Sequence, residues 1–430
     1  MSWIQILILL IALYALIAGY IRLKGLFPDR VAFYGPIMAI RSPRVGIFDA
    51  FTRFSAPLRI YGTLGVVMVV LVSVFISLML FLSVQFTLIM QPEPTGIYEP
   101  QNILLLPGIN EFVPATLAVW AAFVLTIAVH EFGHAILCRI EGIRVRSIGI
   151  LLAVIPIGFF VEPDEEDLEA SSGLPKARMF GAGITNNIVI GIISFALLLS
   201  AFGMAIPTDT PVVHGVYRDY PAELAGIPGN SVIRQINGID VSTREDISRI
   251  LETTDPGDRI SLLVETGGAL ETYDLTLAPW PEGYEDRTSG FMGIYYYDAP
   301  AIQQEVQNLG SPLGLLRLIT VPFDTGYGGQ LLRILAFDTA EQAYYETPFP
   351  AYWGVIHLLF WVGWININVG IFNAIPMLPL DGGHIMREGI ERLLRGRGLA
   401  RFSNAVVGTV SWTMLLMLVS LIALPYLLHL

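Results

Sequence analysis

Cysteine is all but missing from this 430-residue chain: Cys138 stands alone, so no internal disulfide framework can hold any part of it together. Charge is scarce too, at 14% of residues, and it leans acidic, with 25 Lys and Arg against 37 Asp and Glu. A protein short of basic residues offers no face for nucleic acid. Internal repeats and low-complexity tracts are also lacking. What fills the chain is apolar: 54% of residues are hydrophobic and the formal net charge is −12. So much apolar content with so few charges marks an integral membrane protein.

Six apolar runs are long enough to span a bilayer: residues 3–21, 63–90, 113–140, 179–205, 352–378 and 405–428. The first has no basic n-region before it, so it is expected to remain as an uncleaved helix. Between the first two runs lie Arg22, Lys24, Arg30, Arg41, Arg44, Arg53 and Arg59 against only Asp29 and Asp49. That excess assigns the stretch to the cytoplasm. The loop 91–112 carries Glu93, Glu99 and Glu111 with no Lys or Arg, as expected outside. Both termini then lie outside a cell membrane, and the third and fifth runs head inward, toward Arg139, Arg144 and Arg146 and toward Arg387, Arg392, Arg395, Arg397 and Arg401. The scarcity of cysteine and the acidic outer surface suit a prokaryotic membrane.

Residues 148–161 are apolar and rich in β-branched side chains, yet too short for a span. With Pro156-Ile157-Gly158 inside it, the segment is expected to form a re-entrant strand or hairpin. Open backbone at membrane depth survives only against protein or a wet cavity, so this is an edge for binding something extended, and Gly158 is a candidate substrate contact. The fourth run opens with Gly181-Ala182-Gly183, small residues suited to close helix contact. Of its two amides one is expected to join helices, and Asn186 is the candidate for holding a substrate backbone.

Residues 207–350 are soluble in character, with roughly twenty acidic and fewer than ten basic residues. Strands are predicted at 211–217, 231–236, 259–265 and 269–277, with a short helix capped by Thr243 and ending at Leu251. Residues 281–350 are rich in Gly, Tyr and Pro and are expected to be a linker, with an apolar patch at 313–321 lying along the membrane surface.

Chemistry concentrates in the third run, at His130-Glu131-Phe132-Gly133-His134. Residues four apart share one helix face, so two imidazoles can hold one metal ion, and Glu131 lies beside them to take a proton from water. Histidines and a glutamate are costly in lipid and rarely lie there without a function. A catalytic zinc takes three protein ligands and keeps a fourth position open. Asp381, a lone acid after the proline-broken segment 373–380, reaches the same depth at the inward end of another span and is the preferred third ligand. His384 competes but heads toward the arginine-rich surface. Cys138 is expected to pack as a small apolar group. His214, His357 and His429 fall on the outer side.

The run from His130 to His134, Gly158-Phe159-Phe160-Val161-Glu162-Pro163, the small-residue start of the fourth span, and Asn373-x-x-Pro376 running into Leu380-Asp381-Gly382-Gly383 together resemble the site-2 protease family of intramembrane metalloproteases. The run 225–238 within the β-rich module resembles a PDZ domain, a fold that binds peptide ends by strand addition. The resemblance covers about Val113 to Arg387. It implies that His130, His134 and Asp381 bind zinc, that Glu131 is catalytic, and that Asn373 helps order the site or the substrate strand. The expected organisation is two N-terminal spans (1–112), catalytic core helices (113–206), a PDZ-like domain (207–280), a linker (281–350) and a final pair of helices (351–430). Substrates would be transmembrane segments of other proteins, cut near the cytoplasmic face after local unwinding. The competing readings are a metal transporter or sensor and a non-catalytic PDZ scaffold.

Overall fold

The computed structural model describes residues 3–429 apart from Leu104, Glu285 and Thr325. The chain divides into two compact units, Met1–Phe195 with Leu358–Leu430, and Ala196–His357.

In the first unit, α1 (Trp3–Lys24) is the 22-residue helix expected as the first span. After it come two strands in a stretch read from sequence only as a basic loop, β1 (Val31–Tyr34) and β2 (Ile37–Ser42). The 36-residue α2 (Ser55–Met90) follows, then α3 (Leu117–Ile140), which carries the histidines. The expected re-entrant segment is a hairpin, β3 (Val145–Ala153) and β4 (Ile155–Pro163). The four strands form one antiparallel sheet in the order β1-β2-β3-β4. A long helix, α4 (Leu174–Phe202), closes this part of the unit.

The second unit holds a six-stranded sheet. Its strands include β5 (Val212–Val216) and β6 (Ser231–Ile236). Next comes α5 (Arg244–Leu251), whose start is fixed by a capping box between Thr243 and Asp246. Then follow β7 (Arg259–Thr266), β8 (Ala269–Thr276) and β9 (Ile294–Tyr296). The order is β8-β7-β6-β5-β9, with the short strand Ile239–Asp240 on β6. Ile233, Ile236, Ile247, Leu262, Val264 and Ile294 fill its core. The expected boundary at residue 280 is therefore corrected: Ile294 pairs with Val216, so the sheet is completed by a strand from the supposed linker. The linker itself is folded, with α6 (Ala299–Asn308) and α7 (Pro312–Thr320). Within the apolar patch 313–321, Leu318 and Val321 are buried while Leu313 and Leu316 are exposed.

The chain returns to the first unit within α8 (Tyr352–Asn373), and α9 (Asp381–Arg395) and α10 (Ser403–Leu427) follow. Among the described residues, five helices are long and apolar enough to cross a membrane, namely α2 to α4, α8 and α10. The remaining expected span, the first in the chain, is the helix α1.

The core of this unit is built on α3. Val119, Phe123, Thr126, His130, Gly133, His134 and Leu137 are all buried, a stripe at three- and four-residue spacing on a helix that is apolar all round. Leu117, Leu125 and Phe132 remain exposed, the surface a lipid-facing helix presents. Two features end α3 soon after its histidines. Gly142 adopts φ +80°, and Ile143 N–H donates to Cys138 C=O at 2.8 Å, a left-handed glycine stop. Glu141 sits at this turn with its side chain 5% exposed, paired with Arg178 at 3.0 Å and Arg59 at 3.4 Å.

The hairpin base is clamped outside the spans. Arg144 donates to both Asp164 and Asp167, and Arg146 to Asp164 at 2.9 Å. The Arg144 hydrogen bonds hold the Asp167 carboxyl down at about 2.

Two outcomes follow for stability. Replacing Glu141 with Ala leaves Arg178 without its buried partner and should cost about 3 kcal/mol; a thermal melt of the detergent-solubilised variant within a degree of wild type would contradict the role assigned to Glu141. Because the folded pKa of Asp167 lies below its unfolded value, its clamp contributes fully above pH 4 and is lost as pH falls toward 2. The melting difference between wild type and Asp167→Asn should thus be present at pH 6 and shrink at pH 3, and a pH-independent difference would rule the clamp out.

Candidate metal centre

One turn of α3 separates His130 from His134, and both rings turn the same way: their centroids lie 4.8 Å apart and their Nε2 atoms 3.2 Å apart. Asp381 Oδ2 approaches the same point, 3.1 Å from His130 Nε2 and 3.3 Å from His134 Nε2. Among the described residues this is the one group of three or more potential ligands with converging atoms. The carboxylate oxygen is buried and has no hydrogen-bond partner. Three lone-pair atoms held together in this way, one of them an orphaned anion, fit a divalent cation, and two imidazole nitrogens with one carboxylate oxygen are a donor set suited to zinc.

The other side of each imidazole is also fixed. His134 Nδ1 lies 2.8 Å from Met179 C=O on α4, and His130 Nδ1 lies 3.1 Å from the Asn187 amide. The helix supplying both partners comes close because it carries glycine at the contact. A Cβ on Gly183 would fall 2.6 Å from His134 Nε2 and 2.7 Å from His130 Cε1. On the neighbouring turn of α3, a Cβ on Gly133 would fall 2.8 Å from the Ala182 carbonyl oxygen.

Asp381 is delivered by a break between α8 and α9. The broken backbone is satisfied from neighbouring helices: Ser73 of α2 donates to Ala374 C=O at 2.6 Å, and Leu378 N–H donates to Ser411 of α10 at 3.2 Å. Gly382 and Gly383 pack directly on the backbone of Ala374 to Leu378, so α9 starts against the break and turns its first residue inward. An acid in the first turn also suits the positive end of that helix.

Glu131 lies in the same turn as the histidines. Its Oε2 accepts a 2.9 Å hydrogen bond from Val161 N–H on β4. That strand is the end of its sheet, so the glutamate stands at an edge with no further strand beyond it among the described residues.

The other candidates fare differently. Asn186, the candidate substrate contact, is partly exposed and joins helices: its Oδ1 accepts from Tyr61 at 2.8 Å and its amide donates to Val129 C=O at 3.1 Å. Its neighbour Asn187, left unassigned by sequence, is the one whose amide reaches His130. Asn373 donates to Val369 C=O in its own helix. At Gly158, opposite Leu151 in the hairpin, a Cβ would find ordinary contact distances, whereas at Gly149 it would collide with Phe160. His384 stacks on Phe180 at 4.2 Å and is not part of the cluster. Cys138 packs beside Leu137, Ile140 and Met179. His357 pairs with Asp338, and His429 with Pro425 C=O. Gly183 belongs to the small-residue start of this helix noted from the sequence; Asn187, which was missed, lies four residues on and so shares the helix face that meets the histidines, a spacing that was the available signal.

A membrane-embedded His-His-Asp centre with an adjoining glutamate is the class this geometry defines. The profile of peptidase family M50 matches residues 118–418, well over half of the sequence, and the chain belongs to that family. Among named relatives, it is 27% identical over 251 residues to the Enterococcus faecalis protein "Probable protease eep", covering 56% of each chain. It is 24% identical over 270 residues to "Zinc metalloprotease RasP" of Oceanobacillus iheyensis, covering 60% of this chain and 61% of that one. With "Uncharacterized protein MJ0971" of Methanocaldococcus jannaschii the identity is 22% over 365 residues, covering 84% of this chain and 80% of the other. The match thus spans less than two thirds of the length of the first two relatives.

Gly183→Ala is expected to fold and to lose bound metal, because the added methyl would press on both rings, 2.6 Å from His134 Nε2 and 2.8 Å from His130 Nε2. Zinc per chain, measured on purified protein by mass spectrometry, should drop from one toward zero; a full equivalent would show that the glycine is not needed.

Proposed function

We propose that this chain is an intramembrane zinc endopeptidase that cuts transmembrane segments of other proteins near the cytoplasmic face. The observation that carries this is Glu131: a carboxylate one residue from a metal ligand, hydrogen bonded to the free edge of a strand. His130, His134 and Asp381 hold the metal, which when bound supplies a Lewis acid that acidifies water and polarises a carbonyl. Glu131 takes the proton of the attacking water at its carboxylate and passes it to the leaving nitrogen. A carrier has no use for a general base in this position, which disfavours a transport role.

The substrate must present an extended backbone, since a helix hides its carbonyls in internal hydrogen bonds. The edge of β4 can pair with an unwound segment and align it beside Glu131. Substrates should therefore contain Gly, Pro or Asn near the cut, residues that weaken a helix. Sidedness rests on the arginine distribution, with both termini outside and the site nearer the cytoplasm. In the second unit we assign the PDZ-like role to the groove between α5 and β9. It is a cavity of about 240 Å³ lined by Ile247, Leu251, Phe291, Met292 and Ile294. Because β9 ends its sheet, an extended peptide of a partner or substrate can add to it there.

The test is co-expression with single-span membrane proteins. Wild type should release a cytoplasmic fragment. Glu131→Gln should retain zinc while slowing release at least about 100-fold, the scale of a lost general base. Undiminished release by that variant would refute the role of Glu131, and no release by wild type from any helix-weakened substrate would refute the protease.

A further inference from the structure

We infer that Asn187 is a positioning residue for the metal: its carboxamide oxygen accepts the Nδ1 proton of His130 and so fixes which ring nitrogen faces the ion. This rests on the metal-centre reading above. For His130 to bind through Nε2, the nitrogen that faces Asp381, its ring proton must sit on Nδ1. That proton needs an acceptor, as His134 has in Met179 C=O. The group 3.1 Å from His130 Nδ1 is the Asn187 amide, fully buried. Its oxygen has no partner when the nitrogen faces the ring. The two ends of a carboxamide have the same shape, and a half-turn exchanges them. Either orientation leaves one amide end without a protein partner, so the imidazole decides. A ligating His130 has a proton to give and requires the oxygen.

The pairing of the two histidines then becomes symmetrical in purpose. Each has its Nε2 turned to Asp381 and its Nδ1 held by α4, one by a backbone carbonyl and one by a side chain. A backbone acceptor cannot be mutated away, but Asn187 can. Outer partners of this kind orient the ring and raise its basicity, and their loss typically weakens metal binding 10- to 100-fold.

The experiment measures zinc affinity by chelator competition on purified protein. Four forms are compared: wild type, Asn187→Leu, Asn187→Asp and Asn366→Leu. Leucine keeps the bulk and removes the acceptor, so affinity should fall by about 10- to 100-fold. Aspartate restores an acceptor for the Nδ1 proton, so affinity should return to within a few-fold of wild type or exceed it. Asn366 is the control for a buried amide in the same unit: it is fully buried and donates to Thr126 at 2.7 Å, with no contact to a ligand. Its replacement should lower the melting temperature and leave zinc affinity unchanged. Equal zinc affinity in Asn187→Leu and wild type would overturn the inference. So would an equal loss in Asn187→Leu and Asn366→Leu, or failure of aspartate to hold the metal where leucine does not. Should Asn187→Leu not fold, Asn187→Asp decides alone: near-wild-type affinity supports the acceptor role and a 10-fold loss refutes it. Wild-type protein that binds no zinc would instead count against the metal centre itself, a separate outcome.

Discussion

A buried carboxylate oxygen set between two imidazole rings is the constraint around which the first unit is arranged. A buried, uncompensated carboxylate costs several kcal/mol, and Asp381 Oδ2 has no partner donor. A metal cation at the meeting point of the three atoms would remove the cost and link α3 and α9, whose candidate ligand residues lie some 250 positions apart in sequence. The packing around the cluster serves that meeting: glycine where α4 meets the rings, glycine where α9 meets the break, and a left-handed glycine where α3 must stop.

The second demand is backbone. A helix crossing lipid satisfies its own amides, whereas a break or a strand does not. At the break before Asp381, hydroxyls of Ser73 and Ser411 come from two different helices to complete what the interrupted helix leaves open. The hairpin is secured by another route. Its inner strand β3 pairs with β2 from Met38 to Ser42, and Tyr14 of α1 reaches the tip, bonding Leu152 C=O at 2.9 Å and Pro36 C=O at 2.5 Å. The N-terminal helix and its loop thus complete one side of the hairpin and leave the other side open toward Glu131.

Legibility in the sequence followed the range over which each signal acts. His130, Glu131 and His134 declare themselves because four residues along a helix is a local distance. Asp381 was legible because Gly382-Gly383 and Pro379 mark a break that only a buried acid with a partner makes sensible. The hairpin was visible as an apolar run too short to span. What escaped depends on pairing between distant segments. Val31 to Tyr34 is four residues inside a basic loop, and nothing local says that its neighbour β2 will find β3. β9 was hidden among glycines and tyrosines, and it is a strand only because β5 offers it an edge. Asn186 and Asn187 are identical as residues and adjacent in sequence; which of them meets the histidines is a matter of 100° of helix rotation.

The edge of β4 limits where an added strand can pair. In a strand, backbone N–H groups that point to one side recur at every second residue. Val161 N–H points away from β3, since Glu131 receives it, and Phe159, two residues before it, shares that orientation. An incoming strand paired at Phe159 would meet the glutamate on its next step, where the edge donor is already occupied. Pairing beyond Val161 would therefore compete with Glu131 for one N–H, so a strand added at this edge would end there. Under the proposed function a peptide bond presented just past that point would lie beside Glu131, and the proposed general base and the strand edge would be coupled through this one hydrogen bond.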